Sequence, residues 1–111
     1  MAREVDAAGL EAADDVQLVD VRTTEEREAG RIPDDTAHIP FEELAARATE
    51  LDKDRPIVFY CRSGDRSAVA ADAFAVSGFD AASLAGGLLA WKEAGREVAG
   101  EVGQPSGLPP K

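Results

Sequence analysis

Hydrophobic positions in this chain fall into short runs separated by stretches rich in alanine and charge. Ile57-Val58-Phe59-Tyr60 is a β-branched and aromatic run that reads as a buried strand. Val16 to Val21 is mostly apolar, as a parallel strand covered on both faces should be. Shorter runs at Arg3-Glu4-Val5, His38-Ile39 and Ala82-Ser83-Leu84 predict three further strands. Between them lie segments with helical signals. Asp6 can cap a helix over Ala7 to Ala13, with Leu10 facing inward. Thr23 or Thr24 can cap Glu25 to Ala29, which Gly30 ends. Phe41, Leu44, Ala45 and Ala48 stand at i, i+3, i+4, i+7 and predict an amphipathic helix. Ser67 opens a helix through Val76 that Gly78 stops, and Leu88 to Ala94 forms the last one, capped by Gly95. Alternating strand and helix predicts an α/β fold with a central, mainly parallel sheet of five strands.

At 111 residues the chain is one domain, and 44% apolar residues are enough for a core. The domain is expected over residues 1–99, with residues 100–111, rich in proline and glycine, as a flexible tail. No apolar run approaches a membrane span, and the first residues lack the apolar region of a signal peptide. The net charge of −10 argues against nucleic acid and against anionic membranes as partners. It suits a halophilic protein or an ordinary solvated acidic surface equally. The single cysteine forms no internal disulfide, and a reducing cytoplasm is the expected location. Glu25-Glu26-Arg27-Glu28 needs no functional role, since acidic residues favour a helix's first turn.

That cysteine, Cys61, stands where the strongest strand ends and a helix is about to begin. Ligands bind at this location in open α/β sheets. A free thiol has a pKa near about 8.5, so little of it is ionised at neutral pH. A helix amino end adds roughly half a positive charge. Arg62 and Arg66 add full ones, and each pKa unit of depression is worth about 1.4 kcal/mol. A lone cysteine is ordinarily a core residue, but two arginines so close favour a reactive thiol.

Cys61-Arg62-Ser63-Gly64-Asp65-Arg66-Ser67 resembles the active-site loop of rhodanese-type sulfurtransferases. The resemblance implies a three-layer rhodanese-like domain in which the cysteine takes a sulfane sulfur, becomes a persulfide and passes the sulfur on. By that likeness Cys61 is the nucleophile. Arg62 and Arg66 hold an anionic donor, and the amides from Ser63 to Ser67, through Gly64 and Asp65, surround the transferred sulfur. Ser67 either bonds the persulfide or caps the helix, and capping is preferred. Four residues separate Cys61 from Arg66, one fewer than in cysteine-based phosphatases. A phosphatase or arsenate reductase is therefore disfavoured. The alternative from another class is a non-catalytic persulfide carrier or regulatory binding module. The partners implied are a small sulfur donor, thiosulfate or a persulfide, and an acceptor: cyanide, a thiol or a protein. No metal or organic cofactor is implied, and the oligomeric state is left open.

Other segments match the family with departures. Asp20-Val21-Arg22 resembles its Asp-x-Arg near the catalytic loop, and a buried, structure-fixing ion pair is the preferred reading. Gly30 to Pro40 resembles its Gly-His-Ile-Pro-Gly-Ala signature. Arg31 replaces histidine, Asp34 stands where glycine is common, the segment is one residue longer, and Arg27 replaces an aromatic residue. Gly86-Gly87 with Ala90-Trp91 resembles the closing signature, with Trp91 as core packing. His38, the only histidine, is expected to be structural. Asp65 places a negative charge in an anion-binding loop, which predicts weak thiosulfate binding.

Overall fold

The computed structural model describes residues 3–100. Five parallel strands form one sheet: β1 (Glu4–Val5), β2 (Gln17–Asp20), β3 (Ala37–His38), β4 (Ile57–Tyr60) and β5 (Ala81–Leu84), in the order β1-β5-β4-β2-β3. All pairings between neighbours are parallel, so the sheet is parallel throughout rather than mainly. Every residue of β2, β4 and β5 is buried, which explains why these runs do not alternate polar and apolar residues.

Successive strand side chains point to opposite faces, and this builds two cores. Ile57 and Phe59 face one side, with Val19, Ala71 and Phe74. That side is covered by α3 (Asp65–Val76) and the turns that precede β4. Val58 and Tyr60 face the other side, with Leu18, Leu84, Leu88 and Trp91, under α1 (Ala7–Ala12) and α4 (Gly87–Glu93). Trp91 packs there as expected and donates its indole N–H to the Glu97 carbonyl at 2.8 Å. The remaining helix, α2 (Thr24–Glu28), follows β2 and opens on a capping box between Thr23 and Glu26.

Two helix expectations are corrected. The helix expected over Phe41 to Ala48 is two short 3-10 turns, Phe41–Glu43 and Ala48–Glu50. Pro40 gives the first turn no side-chain cap, and Arg47 leaves helical geometry at φ −112° before the second. The apolar spacing still works in part: Leu44 is buried and Phe41 and Ala48 pack on the core, while Ala45 is exposed. The second correction concerns α3, which begins at Asp65 and not after Ser67. Gly64, at φ 105°, makes the turn into the helix, so the chain reverses three residues earlier than a serine cap would require.

Two of the family departures, Arg27 and the lengthened segment, meet in one network. Arg27 makes two hydrogen bonds to Asp35, at 2.7 and 2.9 Å, and one to Asp20 at 3.1 Å. The buried Tyr60 hydroxyl donates to Asp35 at 2.8 Å. The charge that replaced an aromatic residue thus meets a carboxylate from the lengthened segment. Asp34 adopts φ 62°, the left-handed region for which glycine is better suited and which aspartate tolerates. The expected tail lies, apart from Gly100, outside the described residues. Ala99 forms an isolated antiparallel bridge with Arg31. Among the described residues no helix is long and apolar enough to cross a membrane.

Candidate active site

Parallel strands send all their carboxyl ends the same way. The order β5-β4-β2 therefore brings three loops together: Cys61 to Gly64 after β4, Val21 to Thr23 after β2, and Ala85-Gly86 after β5. Cys61 continues the alternation of β4 onto the α3 side, and α3 begins four residues later. Its Sγ lies beneath the loop, with the residue only 1% exposed.

The groups around the sulfur are donors. The Gly64 amide donates to Sγ at 3.1 Å, and the Ser67 hydroxyl lies 3.5 Å away. Burial is the largest single influence on the thiol and pushes its pKa up. Hydrogen bonds from the Ser67 hydroxyl and from the Ser67, Gly64 and Arg66 amides outweigh it, and the net shift is downward. Sequence reasoning expected depression of this pKa from the helix end and two arginine charges. The direction agrees, and the helix end supplies it through the Gly64, Arg66 and Ser67 amides at the start of α3, with the Ser67 hydroxyl in place of the arginine charges.

Neither arginine guanidinium hydrogen-bonds the sulfur, although Arg66 is close enough to feel its charge. Arg66 forms a two-pronged ion pair with Glu26, at 2.8 and 2.9 Å. The Glu26 carboxyl is held down to about 2, chiefly by that bond. Arg62 is exposed and lines a cavity on the outer side of the loop. Ser63 and Asp65 are exposed, with Asp65 in the first turn of α3, where the helix dipole favours its charge.

Ser67 is fully buried and does not cap α3. Its hydroxyl reaches the Gly64 carbonyl at 3.2 Å and the buried Ser83 hydroxyl at 2.7 Å. A chain of hydroxyls therefore runs from β5 to the thiol. Asp20 and Arg22 form the buried ion pair that was preferred, with three hydrogen bonds of 2.9 Å. Burial raises the Asp20 pKa, and the bonds from Arg22 and Arg27 more than reverse this. Arg22 also holds the Gly30 carbonyl at 2.6 Å and the Glu26 carbonyl at 3.3 Å, which anchors α2 beside the loop. His38 donates through Nε2 to the Arg22 carbonyl at 2.8 Å, a structural contact. Among the described residues no cluster of His, Cys, Asp and Glu is arranged to hold a metal.

Three participants were missed by sequence reasoning. Glu26 was hidden in a charge run that capping explains well enough. Ser83 was readable from alternation, because it shares a strand face with Ala81 and so looks toward α3. Gly87 is tight for a reason only the tertiary contacts show. The Leu88 and Leu89 amides donate to the Cys61 and Arg62 carbonyls at 2.9 and 3.0 Å. A Cβ on Gly87 would stand 2.6 Å from both of those carbonyl oxygens.

Comparison with known proteins agrees with this architecture. The model of the rhodanese-like domain matches residues 5–94. A sulfurtransferase of Allochromatium vinosum is 36% identical over 108 residues, covering 93% of this chain and all of that protein. The thiosulfate sulfurtransferase GlpE of Shewanella oneidensis is 40% identical, covering 74% of this chain and 81% of that one. The crystal structure of a rhodanese-related protein from Thermoplasma volcanium superposes with a TM-score of 0.82 at 31% identity, covering 89% of this chain and 99% of that one. A parallel sheet in this order, a cysteine loop at its carboxyl edge and a family match over most of the chain lead to one assignment: the protein belongs to the rhodanese-like domain family.

Proposed function

We propose that the protein is a sulfurtransferase working through a persulfide on Cys61. In the first half-reaction the thiolate attacks the outer sulfur of the donor. The donor's S–S bond breaks, and its remainder leaves with the electron pair: sulfite from thiosulfate, or a thiolate from an organic persulfide. In the second half-reaction an acceptor nucleophile attacks the sulfur carried on Cys61. The Cys61–sulfur bond breaks and the thiolate is restored. The Gly64, Arg66 and Ser67 amides and the Ser67 hydroxyl stabilise the anion at each stage. Asp20 and Arg22 hold the adjoining loop in place. The chemistry fits a reducing cytoplasm, where a lone thiol stays available.

The observation that carries this reading is the set of donors converging on one sulfur, with the Gly64 N–H at 3.1 Å. The test is mass spectrometry after incubation with thiosulfate, followed by turnover with cyanide. One added sulfur on Cys61 is expected, with activity abolished in Cys61→Ala. A thiol that gains no sulfur and ignores alkylating reagents in the folded protein would overturn the reading, and its 1% exposure makes that a real test. Stoichiometric loading without turnover would favour a carrier. Phosphate release from an aryl phosphate would favour a phosphatase.

A further inference from the structure

Three acceptors compete for one proton beneath the catalytic loop. The Ser67 hydroxyl lies 2.7 Å from the Ser83 hydroxyl, 3.2 Å from the Gly64 carbonyl and 3.5 Å from the Cys61 sulfur. It has a single proton to give and two lone pairs to fill. Which of the three receives that proton decides whether the hydroxyl helps the thiolate or ignores it. The Gly64 carbonyl already accepts the Ala68 amide at 3.0 Å.

Ser83 settles the contest. Like Ser67 it is sealed from water, and the Ser67 hydroxyl is the one hydrogen-bond partner of its own hydroxyl among the described residues. A buried hydroxyl that gives its proton to nothing carries the full cost of its desolvation. The arrangement that satisfies both serines therefore has Ser83 donating and Ser67 accepting. The Ser67 proton is then free for the sulfur. An anionic sulfur accepts it more strongly than a carbonyl that already has a partner. The backbone holds Ser83 to this task, because β5 pairs with β1 and with β4 at this residue, opposite Glu4 and Phe59. Ser67 is likewise fixed, within the first turn of α3.

We propose that Ser83 is a positioning residue of the active site, which, by donating to the Ser67 hydroxyl, turns the Ser67 proton onto the Cys61 sulfur. Ser83 touches no reacting atom in this role and acts through Ser67. The relay works whenever the sulfur is anionic, both when the thiolate attacks and when it departs from the persulfide. A bond received also strengthens the bond passed on, by about 10–30% for each link. Burial pushes the thiol's pKa up, and the Ser67 hydroxyl leads the bonds that bring it down, which agrees with this direction of donation.

This inference rests on the persulfide reading for its purpose, but its test needs no sulfur donor. The thiolate is titrated by its ultraviolet absorbance in the unloaded protein. Cys61 is the one cysteine, and burial pushes the pKa of the one tyrosine, Tyr60, well above its ordinary value, so the signal belongs to Cys61. The charged groups of the surrounding elements are the same in every variant compared: Asp20 and Arg22 at the end of β2, Glu26 on α2, Arg62 on the loop, and Asp65 and Arg66 on α3. Ser83→Ala should raise the Cys61 pKa by about 0.4 of a pH unit. Ser67→Ala should raise it by about one unit or more, and adding Ser83→Ala to that protein should change nothing further. Ser83→Thr and Ser83→Val match in shape, so the difference between them isolates the hydroxyl even where packing shifts. The Ser83→Val protein should titrate about 0.4 of a unit above the Ser83→Thr protein. A pKa that Ser83→Ala leaves unmoved, or moves equally with and without the Ser67 hydroxyl, overturns the assignment and leaves the persulfide reading standing. Equal values for Ser83→Thr and Ser83→Val overturn it too. Should Cys61 load no sulfur, the titration still decides whether Ser83 directs the Ser67 proton.

Discussion

The Glu26–Arg66 pair occupies one of the two guanidinium groups carried by the Cys61 loop. The Glu26 pKa is about 2 in the folded protein, against an ordinary 4.5. A depressed carboxylate contributes stability above its unfolded pKa and loses it as pH falls through the folded one. The pair is therefore intact at any neutral assay pH and breaks only between about pH 4.5 and 2. Within the working range only a substitution can release Arg66. Glu26→Gln keeps the shape and the capping hydrogen bonds but removes the charge. The KM for thiosulfate should fall about three- to tenfold, the worth of roughly one freed surface cation. Asp65→Asn should lower it less, because Asp65 is exposed to solvent. Initial rates across thiosulfate concentrations check both, and a KM unmoved by Glu26→Gln would mean that the dianion never meets Arg66. The pair also shows a limit of reading sequence. Cys61, Arg66 and Ser67 were legible because they sit within one heptapeptide. Glu26 lies 40 residues from Arg66, and its local role in the capping box left nothing to explain.

At the scale of elements, the strands and the caps at Asp6 and Thr23 were legible, and the start of α3 was not. β2, β4 and β5 are short apolar runs, and burial on both faces leaves few other sequences that would serve. The Phe41 to Ala48 segment misled because a period of 3.6 records which side chains face the core, and a chain of 3-10 turns can meet much of that requirement. The start of α3 was misplaced because serine is a good cap, whereas Gly64 wins by reversing the chain at φ 105°. Two element-level predictions follow from close packing. Gly87→Ala drives a methyl group into the backbone carbonyls of Cys61 and Arg62 from a residue at φ 61°. It should cost about 2 kcal/mol or more and slow sulfur loading of Cys61, read by chemical denaturation and by mass spectrometry. Arg27→Phe restores the family's residue but strands Asp35 against Asp20 and the Tyr60 hydroxyl. It should destabilise by about 2 kcal/mol, and Asp35→Asn in the same chain should recover part of that loss. Additive losses in the double variant would mean that the two departures from the family pattern are independent.

For the whole molecule the open question is how a domain this acidic stays compact. Asp and Glu number 22 against 12 Lys and Arg, so carboxylates are in excess by 10. Two cations are also drawn inward: Arg22 is 3% exposed, and the half-buried Arg27 is shared between two carboxylates. Buried pairs respond little to added salt, because counterions do not reach them. The repulsion among surface carboxylates does respond, because a Debye length of about 10 Å at 0.1 M shrinks to about 3 Å at 1 M. The two contributions have opposite signs only at the surface. Exposed pairs such as Arg47 with Glu43 and Glu50 weaken slightly in salt, each worth a few tenths of a kcal/mol. The excess of carboxylates gains more from screening than these pairs lose. Thermal unfolding between low and molar KCl should therefore show a rising Tm, by several degrees if screening recovers about 1 kcal/mol in a domain of this size. Potassium sulfate would raise it through exclusion from the surface as well, so chloride is the cleaner salt. A Tm that stays flat in KCl would show that the carboxylates are spaced widely enough to be harmless at low salt. The acidity would then be an ordinary solvated surface and not an adaptation to brine.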